Sequence, residues 1–414
     1  MRLGVFIDGT FIPERDGAST RFALMPRYLS LQGTEVVVFH CHRGWSNLAQ
    51  IALEPFPTYF FPPEVFYSDL DCLVPILRNA GIDMIQMNDA ETIRRIGYRL
   101  ADALDVKLIY EAHYHTSTLA TALGASPARV EALCVIERDV SEHADHLIVF
   151  TDEDQHRWTS LSGWPKDRVS IVPFGVDGVL PGEYPGDRHG LVFIGNLFYE
   201  PNRRAVQRIA TQILPSVRSV RPNTNVVVIG DIPGELRSLC LNAGMEAIGE
   251  VPNPLPWLAG AAVGLAPVSE GTGVRAKILR CLAAGMPVVA TAAAAEGLRL
   301  PALFIENEPL GAALCCVDIL DRPSHYAPFV RETKSVLLER FLWPDIARTA
   351  AGVYARVMEQ TKTRRPPRQQ LSSPGLPMWI EEVLQKGRFA DADTTGLGSY
   401  RFGLAESGQL TTFL

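Results

Sequence analysis

Residues 264–287, GLAPVSEGTGVRAKILRCLAAGMP, decide the fold of this chain, because they join a short apolar strand to a helix through a glycine-rich loop. Gly271 and Gly273 lack side chains, so the backbone N–H groups of the loop can approach a ligand closely. The helix that begins near Val274 directs its positive end into the same space. Such a loop at the carboxyl end of a strand suits an anion.

Two cations follow on this helix. Lys277 lies in the first turn, where it can reach a phosphate at the helix N-terminus, and Arg280 lies three residues further on the same face. Like charges so placed repel each other unless an anion lies between them. Solvated residues whose stems cover apolar surface explain the pair equally well, so the spacing alone leaves both interpretations open.

On both sides of this stretch, short β-branched or aromatic runs alternate with longer stretches of helical period. This order is typical of parallel sheets that are covered by helices on both faces. Strands are predicted over residues 3–7, 36–39, 82–87, 107–110, 147–150 and 169–172, and then over 191–194, 226–229, 245–248, 263–266 and 288–291. Helices are predicted over 18–33, 202–220, 235–243 and 276–284.

A segment dense in proline and glycine separates these two series. Residues 173–190, PFGVDGVLPGEYPGDRHG, have no apolar period and are predicted to be an interdomain linker. We therefore expect one α/β domain at 1–175, a second at 190–342, and a basic, proline-rich linker and tail at 361–414. Two such halves create a ligand cleft at the carboxyl ends of their strands.

The composition excludes several classes of protein. The chain of 414 residues is 47% hydrophobic and 21% charged, so it is not mainly disordered or fibrous. A net charge of −7 argues against nucleic acid as a partner. The longest uncharged stretch, 251–269, contains four prolines, so no stable membrane insertion is expected. Seven cysteines without a Cys-x-x-Cys pair favour reduced thiols and a cytoplasmic location.

Metal and cofactor motifs are weak. His40, Cys41 and His42 end an apolar run, where alternation sends neighbouring side chains to opposite faces, whereas a metal requires converging ligands. The acidic D-x-D pairs at 69/71, 152/154 and 391/393 are most simply turn residues. Neither a G-x-G-x-x-G after a strand nor a P-loop motif is present. We expect no metal site and no cofactor.

Another strand–loop–helix junction is FIGNLFYEPNRRAV at 193–206. Gly195 ends the predicted strand, Asn202 is a candidate helix N-cap, and Arg203 and Arg204 follow in the first turn. Cations at the positive end of a helix fit a bound anion, although surface exposure explains one of them equally well.

Histidines follow the strand predicted at 107–110. His113 and His115 come after Glu111 at its carboxyl end, where ligands bind in open α/β sheets. A histidine there can position or deprotonate a hydroxyl. A half-exposed histidine whose ring is satisfied by backbone groups is equally consistent with the sequence.

In this order, the motifs resemble those of a retaining glycosyltransferase of the GT-B fold, from the nucleotide-sugar-dependent family numbered four, over residues 1–360. FIGNLFYEPNRRAV resembles the family's strand, glycine and helix start, and GTGVRAKILRCLAAGMPVVATAAAAEGL resembles its donor-site block. FLWPDIARTAAGVYARV resembles its closing helix, expected at 343–360. The fold implied is α/β, with two doubly wound Rossmann-like domains that face each other across a cleft.

The resemblance also implies roles for individual residues. The implied catalytic residues are His113 on the acceptor side, Lys277 and Arg275. The implied donor-binding residues are Gly17, Gly195, Asn202, Arg203, Glu250, Val251, Glu270, Gly271, Thr272, Gly273, Arg280 and Glu296. Relatives usually carry a glutamate for the ribose hydroxyls at the position of Arg280, and Glu296 is the candidate to replace it.

The activity implied is metal-independent transfer of a sugar from a nucleoside diphosphate sugar to an acceptor hydroxyl, with retained anomeric configuration. Because the first half lacks a strongly basic amphipathic helix, we expect a small soluble acceptor, such as a bacterial natural-product aglycone or aminocyclitol, rather than a membrane lipid. Two alternatives stay open at this point. One is a non-hydrolysing nucleotide-sugar epimerase of the same fold, and the other is a catalytically silent binding subunit, which the departure at Arg280 favours. The sequence does not fix the oligomeric state.

Overall fold

The computed structural model describes residues 1–14, 16–44, 46–270 and 276–361. Within these residues the strands are β1 (Arg2–Ile7), β2 (Glu35–Cys41), β3 (Thr58–Phe61), β4 (Met84–Met87), β5 (Lys107–Glu111), β6 (His146–Val149), β7 (Val169–Ile171), β8 (His189–Ile194), β9 (Val226–Ile229), β10 (Glu246–Gly249), β11 (Ala261–Ala266), β12 (Val288–Ala290) and β13 (Leu303–Ile305). They form a seven-stranded sheet in the order β3-β2-β1-β4-β5-β6-β7 and a six-stranded sheet in the order β10-β9-β8-β11-β12-β13.

Helices cover both sheets. They are α1 (Gly17–Leu31), α2 (Leu48–Ile51), α3 (Pro63–Ser68), α4 (Leu70–Asn79), α5 (Ala90–Thr92), α6 (Tyr98–Leu104), α7 (Thr116–Ala122), α8 (Pro127–His143), α9 (Asp152–Leu161), α10 (Glu200–Arg208), α11 (Leu214–Val220), α12 (Gly234–Asn242), α13 (Leu255–Gly260), α14 (Ala276–Ala283), α15 (Ala292–Ala295), α16 (Pro309–Asp321), α17 (Pro323–Arg340) and α18 (Trp343–Glu359). Single π-helical turns at Ile93–Gly97 and Ile209–Ile213 join α5 to α6 and α10 to α11, and Lys166–Arg168 form a 3₁₀ turn. Among the residues described, no helix has the length and apolar character that a membrane crossing requires.

The strand order explains where a ligand can bind. All recorded strand pairs are parallel, and all six residues of β11 are buried, as expected for a sheet with both faces covered. In each sheet the strand order reverses at the first strand of that half, between β1 and β4 and between β8 and β11. Ligands of such sheets bind outside the carboxyl ends of the strands at this reversal.

The chain crosses between the halves twice, and the two crossings lie side by side. Val176 pairs with Leu342 in a parallel bridge, and its N–H donates to the Phe341 carbonyl at 2.7 Å. Beyond the second crossing, α18 packs against α1, and the Tyr354 hydroxyl donates to Gln86 Oε1 at 2.7 Å. The last helix therefore returns to the first sheet.

The structure differs from the predicted secondary structure in its edge strands and in the start of α10. Strands β3 and β13 were not predicted, because they are edge strands of only four and three residues. The helix predicted from Asn202 begins earlier, at Glu200, and its N-cap is Tyr199. Pro201 suits this first turn, where its missing N–H has no intrahelical partner to lose. Residues 362–414, most of the predicted tail, lie outside the described residues.

Candidate functional site

Three neighbouring strands of the second sheet end in glycine. Gly195 follows β8 and Gly230 follows β9, and Gly249 ends β10. The Gly195 N–H donates to the Ile229 carbonyl at 3.0 Å, and the Gly230 N–H donates to the Gly249 carbonyl at 2.8 Å. A Cβ on Gly230, which has a φ of +137°, would lie 1.9 Å from the Gly195 carbonyl oxygen. Glycine therefore gives this edge a flat backbone surface beside the reversal point.

The structure brings Lys277 to this edge. Its Nζ donates to Asn202 Oδ1 and lies 5.0 Å from the centroid of the Phe193 ring. The Asn202 side chain is buried and donates from Nδ2 to the Asn196 carbonyl at 2.7 Å, so it holds the ammonium group in place rather than capping the helix. A Cβ on Gly195 would lie 3.4 Å from Lys277 Nζ, so the cation stands directly over the strand end.

The arginines at the start of α10 have carboxylate partners. Arg203 Nε lies 3.7 Å from Glu200 Oε2, and Arg204 Nε donates to Glu200 Oε1 at 3.1 Å. Glu200 thus supplies negative charge in the same helical turn, which accounts for cations at a positive helix end without a bound anion. Arg203 Nη2 also lies 3.9 Å from Glu235 Oε2.

Glu270, one of the implied donor-binding residues, lies against the second of these arginines. Arg204 Nη1 donates to Glu270 Oε1 at 3.1 Å. Glu270 Oε2 is buried and has no hydrogen-bond partner among the described residues. One oxygen is thus fixed by an ion pair while the other can still accept a hydrogen bond.

Arg280 does not join Lys277 at the strand end. Its Nη2 lies 3.5 Å from Thr20 Oγ1, in the first turn of α1. Burial raises the pKa of Asp177, in the first crossing segment, and the charge of Arg280 opposes this rise. The two cations of α14 therefore turn to separate partners. Gly17 is the first residue of α1 and directly follows the N-cap Asp16, so it lies in the same helical turn as Thr20.

His113 belongs to a buried polar group at the end of β5. Its Nε2 lies 3.3 Å from Glu111 Oε1, and its ring packs against Phe22 with the centroids 4.8 Å apart. Glu111 forms a bidentate ion pair with Arg21, whose Nη2 lies 2.9 Å from Glu111 Oε2. Burial alone would raise the pKa of Glu111, but Arg21 and the hydrogen bond with His113 lower it to about 2.

Arg21 connects this group to the rest of the fold. Its side chain is 1% exposed, and its Nη1 donates to the Pro173 carbonyl at 2.7 Å. The guanidinium also lies 4.8 Å from the Phe150 ring centroid and 5.7 Å from that of Trp343 in α18. The orientation of His113 therefore depends on an ion pair that also holds the closing helix.

Glu296, the candidate ribose ligand, pairs with a cation of the other half. Arg157 of α9 donates from Nη2 to Glu296 Oε1 at 2.5 Å and from Nη1 to Asp154 Oδ1 at 3.1 Å. The next residue, Gly297, touches α9's N-cap so closely that a Cβ would lie 2.3 Å from Thr151 Cγ2. In this arrangement Glu296 is a contact between the halves.

Of the remaining predicted site residues, two lie at the same edge of the second sheet. Glu250 and Val251 directly follow β10, with Glu250 exposed and Val251 packed against the core of the second sheet. The positions of Gly271, Thr272, Gly273 and Arg275 lie outside the described residues.

In the described part of the chain, no group of three or more His, Cys, Asp or Glu side chains is arranged to hold a metal ion. His40 lies in the first sheet, with Nδ1 3.2 Å from the Ile7 carbonyl oxygen, and burial lowers its pKa to about 3.

Sequence reasoning missed Gly230, Gly249, Arg21 and Asp8, which follows β1. A usable signal existed for the two glycines, because the segments VVVIGD and AIGEV each end an apolar strand in glycine, as FIGN does. No comparable signal marked Arg21, since a position in a predicted helix indicates nothing about a partner in a distant strand.

The geometry is thus two parallel sheets with reversal points at their carboxyl edges, and a lysine fixed over a glycine-lined strand end of the second sheet. The family described as Glycosyltransferase Family 4 matches residues 15–178, and the one described as Glycosyl transferases group 1 matches residues 188–320. The chain therefore belongs to the glycosyltransferases with the GT-B fold.

Known proteins are similar to this chain in sequence or in structure. The D-inositol 3-phosphate glycosyltransferase 2 of Catenulispora acidiphila is 27% identical over 304 residues, which cover 66% of this chain and 70% of that protein. Sucrose-phosphate synthase from Thermosynechococcus elongatus has a TM-score of 0.66 at 16% identity and covers 86% of this chain and 100% of its own. Anabaena HepE, solved with UDP and glucose, has a TM-score of 0.65 at 14% identity, with the same coverage of 86% and 100%. These two structures share the fold.

Proposed function

We propose that this glycosyltransferase takes its sugar from a nucleoside diphosphate sugar and transfers it to a hydroxyl of a small soluble acceptor, with retained anomeric configuration. The observation that carries the proposal is Lys277, whose ammonium group is held by Asn202 over the end of β8. The names of its relatives support it, since one acts on an inositol phosphate and HepE binds UDP and glucose.

The chemistry follows from where charge develops. When the bond between sugar and diphosphate breaks, negative charge accumulates on the leaving phosphate oxygen. A cation fixed before the reaction stabilises this charge without reorganisation, so its effect is larger in the transition state than in the ground state. Lys277 supplies this charge, aided by Arg275 and by helix N-termini, so the proposed transfer needs no metal ion.

The acceptor side is proposed at the first sheet. His113 lies at the carboxyl end of β5 with its ring fixed by Glu111 and Phe22. We assign it to the acceptor-facing wall near the reacting carbon. Glu270 Oε2, which has no partner among the described residues, is the proposed acceptor of a hydrogen bond from a sugar hydroxyl.

The test is Lys277→Ala, compared with Lys166→Ala, which removes an exposed lysine from the first half. Donors are first found by thermal shift with UDP-, GDP- and dTDP-hexoses, because a bound ligand raises the apparent stability. We expect kcat to fall by about 10²–10³-fold in Lys277→Ala, with a much smaller change in donor Kd, and no change in the control. EDTA should leave kcat unchanged.

Equal turnover by Lys277→Ala and the wild type would contradict the assignment. Isomerisation of the donor in the absence of an acceptor would contradict transfer as the main reaction and favour the epimerase alternative.

A further inference from the structure

A row of polar side chains follows four neighbouring strands of the first sheet. Arg43 comes after β2, Asp8 after β1, Asp89 after β4 and Tyr114 after β5. These strands are adjacent in the order β2-β1-β4-β5, so their carboxyl ends form one continuous edge. The row includes the reversal point of the sheet, where ligands of such folds bind.

Asp8 carries the clearest sign of a missing partner. Its side chain is 6% exposed. Asn88 Nδ2 lies 3.4 Å from Asp8 Oδ1, whereas Asp8 Oδ2 is buried and has no hydrogen-bond partner among the described residues. A buried carboxylate oxygen without a donor is costly, and native structures rarely tolerate one without a functional reason. Asp8 Oδ2 is therefore placed to accept a hydrogen bond from a ligand.

A second carboxyl group lies within the field of the first. Asp89 Oδ2 accepts hydrogen bonds from the backbone N–H and the hydroxyl of Thr92, both at 2.7 Å. Burial, and next the negative charge of Asp8, raise the pKa of Asp89 to about 7. The negative charge of Asp8 thus disfavours the ionised form of Asp89, and a cation between the two groups would favour it.

The described neighbours supply one positive charge. Arg43 Nη2 donates to the Tyr67 hydroxyl, and the Arg43 guanidinium lies 5.8 Å from the Tyr67 ring centroid. Burial raises the pKa of Cys41 to about 11, raises that of Tyr67 and lowers that of His42, so these three are neutral near pH 7. With both carboxyl groups ionised, the single guanidinium leaves the group one positive charge short.

Aromatic side chains place this group beside the cleft. Tyr114 is 43% exposed, and Tyr199, from the loop after β8, is 41% exposed. Tyr114 follows β5 of the first sheet and Tyr199 follows β8 of the second, so one tyrosine stands at the carboxyl edge of each sheet. An exposed tyrosine on each side offers flat apolar surface to a sugar-like ring.

From this geometry we infer that Asp8 and Asp89 form a subsite for a protonated amine, and that the acceptor is a small polyhydroxylated amine of the amino-sugar or aminocyclitol class. The inference rests on the proposed transfer to a soluble acceptor and names its chemistry. The ammonium group donates to Asp8 Oδ2 and supplies the missing positive charge, which leaves a hydroxyl of the same ring for the reaction.

The test measures binding by calorimetry and needs no donor, so its failure is separate from that of the Lys277 experiment. Two matched pairs of ligands differ only in ammonium against hydroxyl: glucosamine with glucose, and scyllo-inosamine with scyllo-inositol. N-acetylglucosamine keeps the nitrogen but loses the charge. Because a hydrogen bond between two charged groups is roughly twice as strong as one between neutral groups, we expect each amine to bind at least about tenfold more tightly than its neutral counterparts.

Asp8→Asn should abolish this preference while neutral ligands bind as before, and Asp71→Asn, at an exposed aspartate of the same half, should preserve it. The wild-type ligand series decides the matter even if Asp8→Asn does not fold. Equal binding of amines and neutral polyols, binding of none of the five ligands at millimolar concentration, or an unchanged preference in a folded Asp8→Asn protein would overturn the inference.

Discussion

The buried ion pair between Glu111 and Arg21 should contribute strongly to stability, and Glu111→Gln tests this. The substitution keeps the size of the side chain but leaves the guanidinium, which is 1% exposed, without its counter-charge. A carboxyl with an ordinary pKa of 4.5 and a folded-state pKa of about 2 stabilises the fold by about 3 kcal/mol at pH 7. Loss of one partner of a buried pair typically costs about 3–5 kcal/mol, so the two routes agree.

The direction of the pKa shift of Glu111 determines how the stabilisation by this ion pair changes with pH. Because the pKa of Glu111 is lower in the folded state, its contribution is fully present above about pH 4.5 and is lost as the pH falls towards 2. In urea unfolding, the difference between wild type and Glu111→Gln should shrink from about 3 kcal/mol at pH 7 to about 1 kcal/mol at pH 3. The control is Asp345→Asn, which breaks an exposed pair with Arg348 and should cost less than about 1 kcal/mol. A cost for Glu111→Gln as small as that control's, or one independent of pH, would refute the reasoning.

Two further predictions concern backbone positions. Gly230→Ala should lower both the melting temperature and the affinity for nucleoside diphosphate, because its Cβ would lie 1.9 Å from the Gly195 carbonyl oxygen. The control is Gly234→Ala, where the space is open and neither quantity should change. Equal effects of the two substitutions would contradict a binding role for the glycine-lined edge of the second sheet. Asp16→Ala should destabilise the chain by about 1 kcal/mol in urea unfolding, because Asp16 caps α1 by accepting from the Ser19 N–H at 2.8 Å; an unchanged midpoint would show that the cap contributes nothing.

The parts of this structure that the sequence predicts are those with local signals. Buried parallel strands are continuous apolar runs, so the central strands of both sheets were predicted to within a few residues. Gly195, Asn202 and Lys277 were each singled out at the end of a strand or the start of a helix, and the structure places all three together. The reversal point makes this convergence understandable, because the loops after β8 and β11 flank it.

Contacts between distant segments were not predictable in the same way. Arg280 meets Thr20 across 260 positions of sequence, and Arg157 meets Glu296 across 139. Neither pair has a spacing or period that distinguishes it from other surface charges. Their partners follow from how the two sheets face each other, which the alternation of strands and helices leaves undetermined.

The arginine at position 280 has a structural explanation that the sequence alone does not supply. Burial, and next the charge of Asp177, raise the pKa of Glu14, while Arg27 and then Arg280 lower it; the same two arginines lower the pKa of Asp177. A glutamate at 280 would add a further carboxylate to this half-buried contact, where like charges destabilise one another. Arg280 instead adds positive charge beside Arg27 and reaches α1 through Thr20. The contact between the two halves therefore accounts for the departure from the family pattern. This departure does not by itself imply a catalytically silent protein, since Lys277 Nζ donates a hydrogen bond to Asn202 at the strand end.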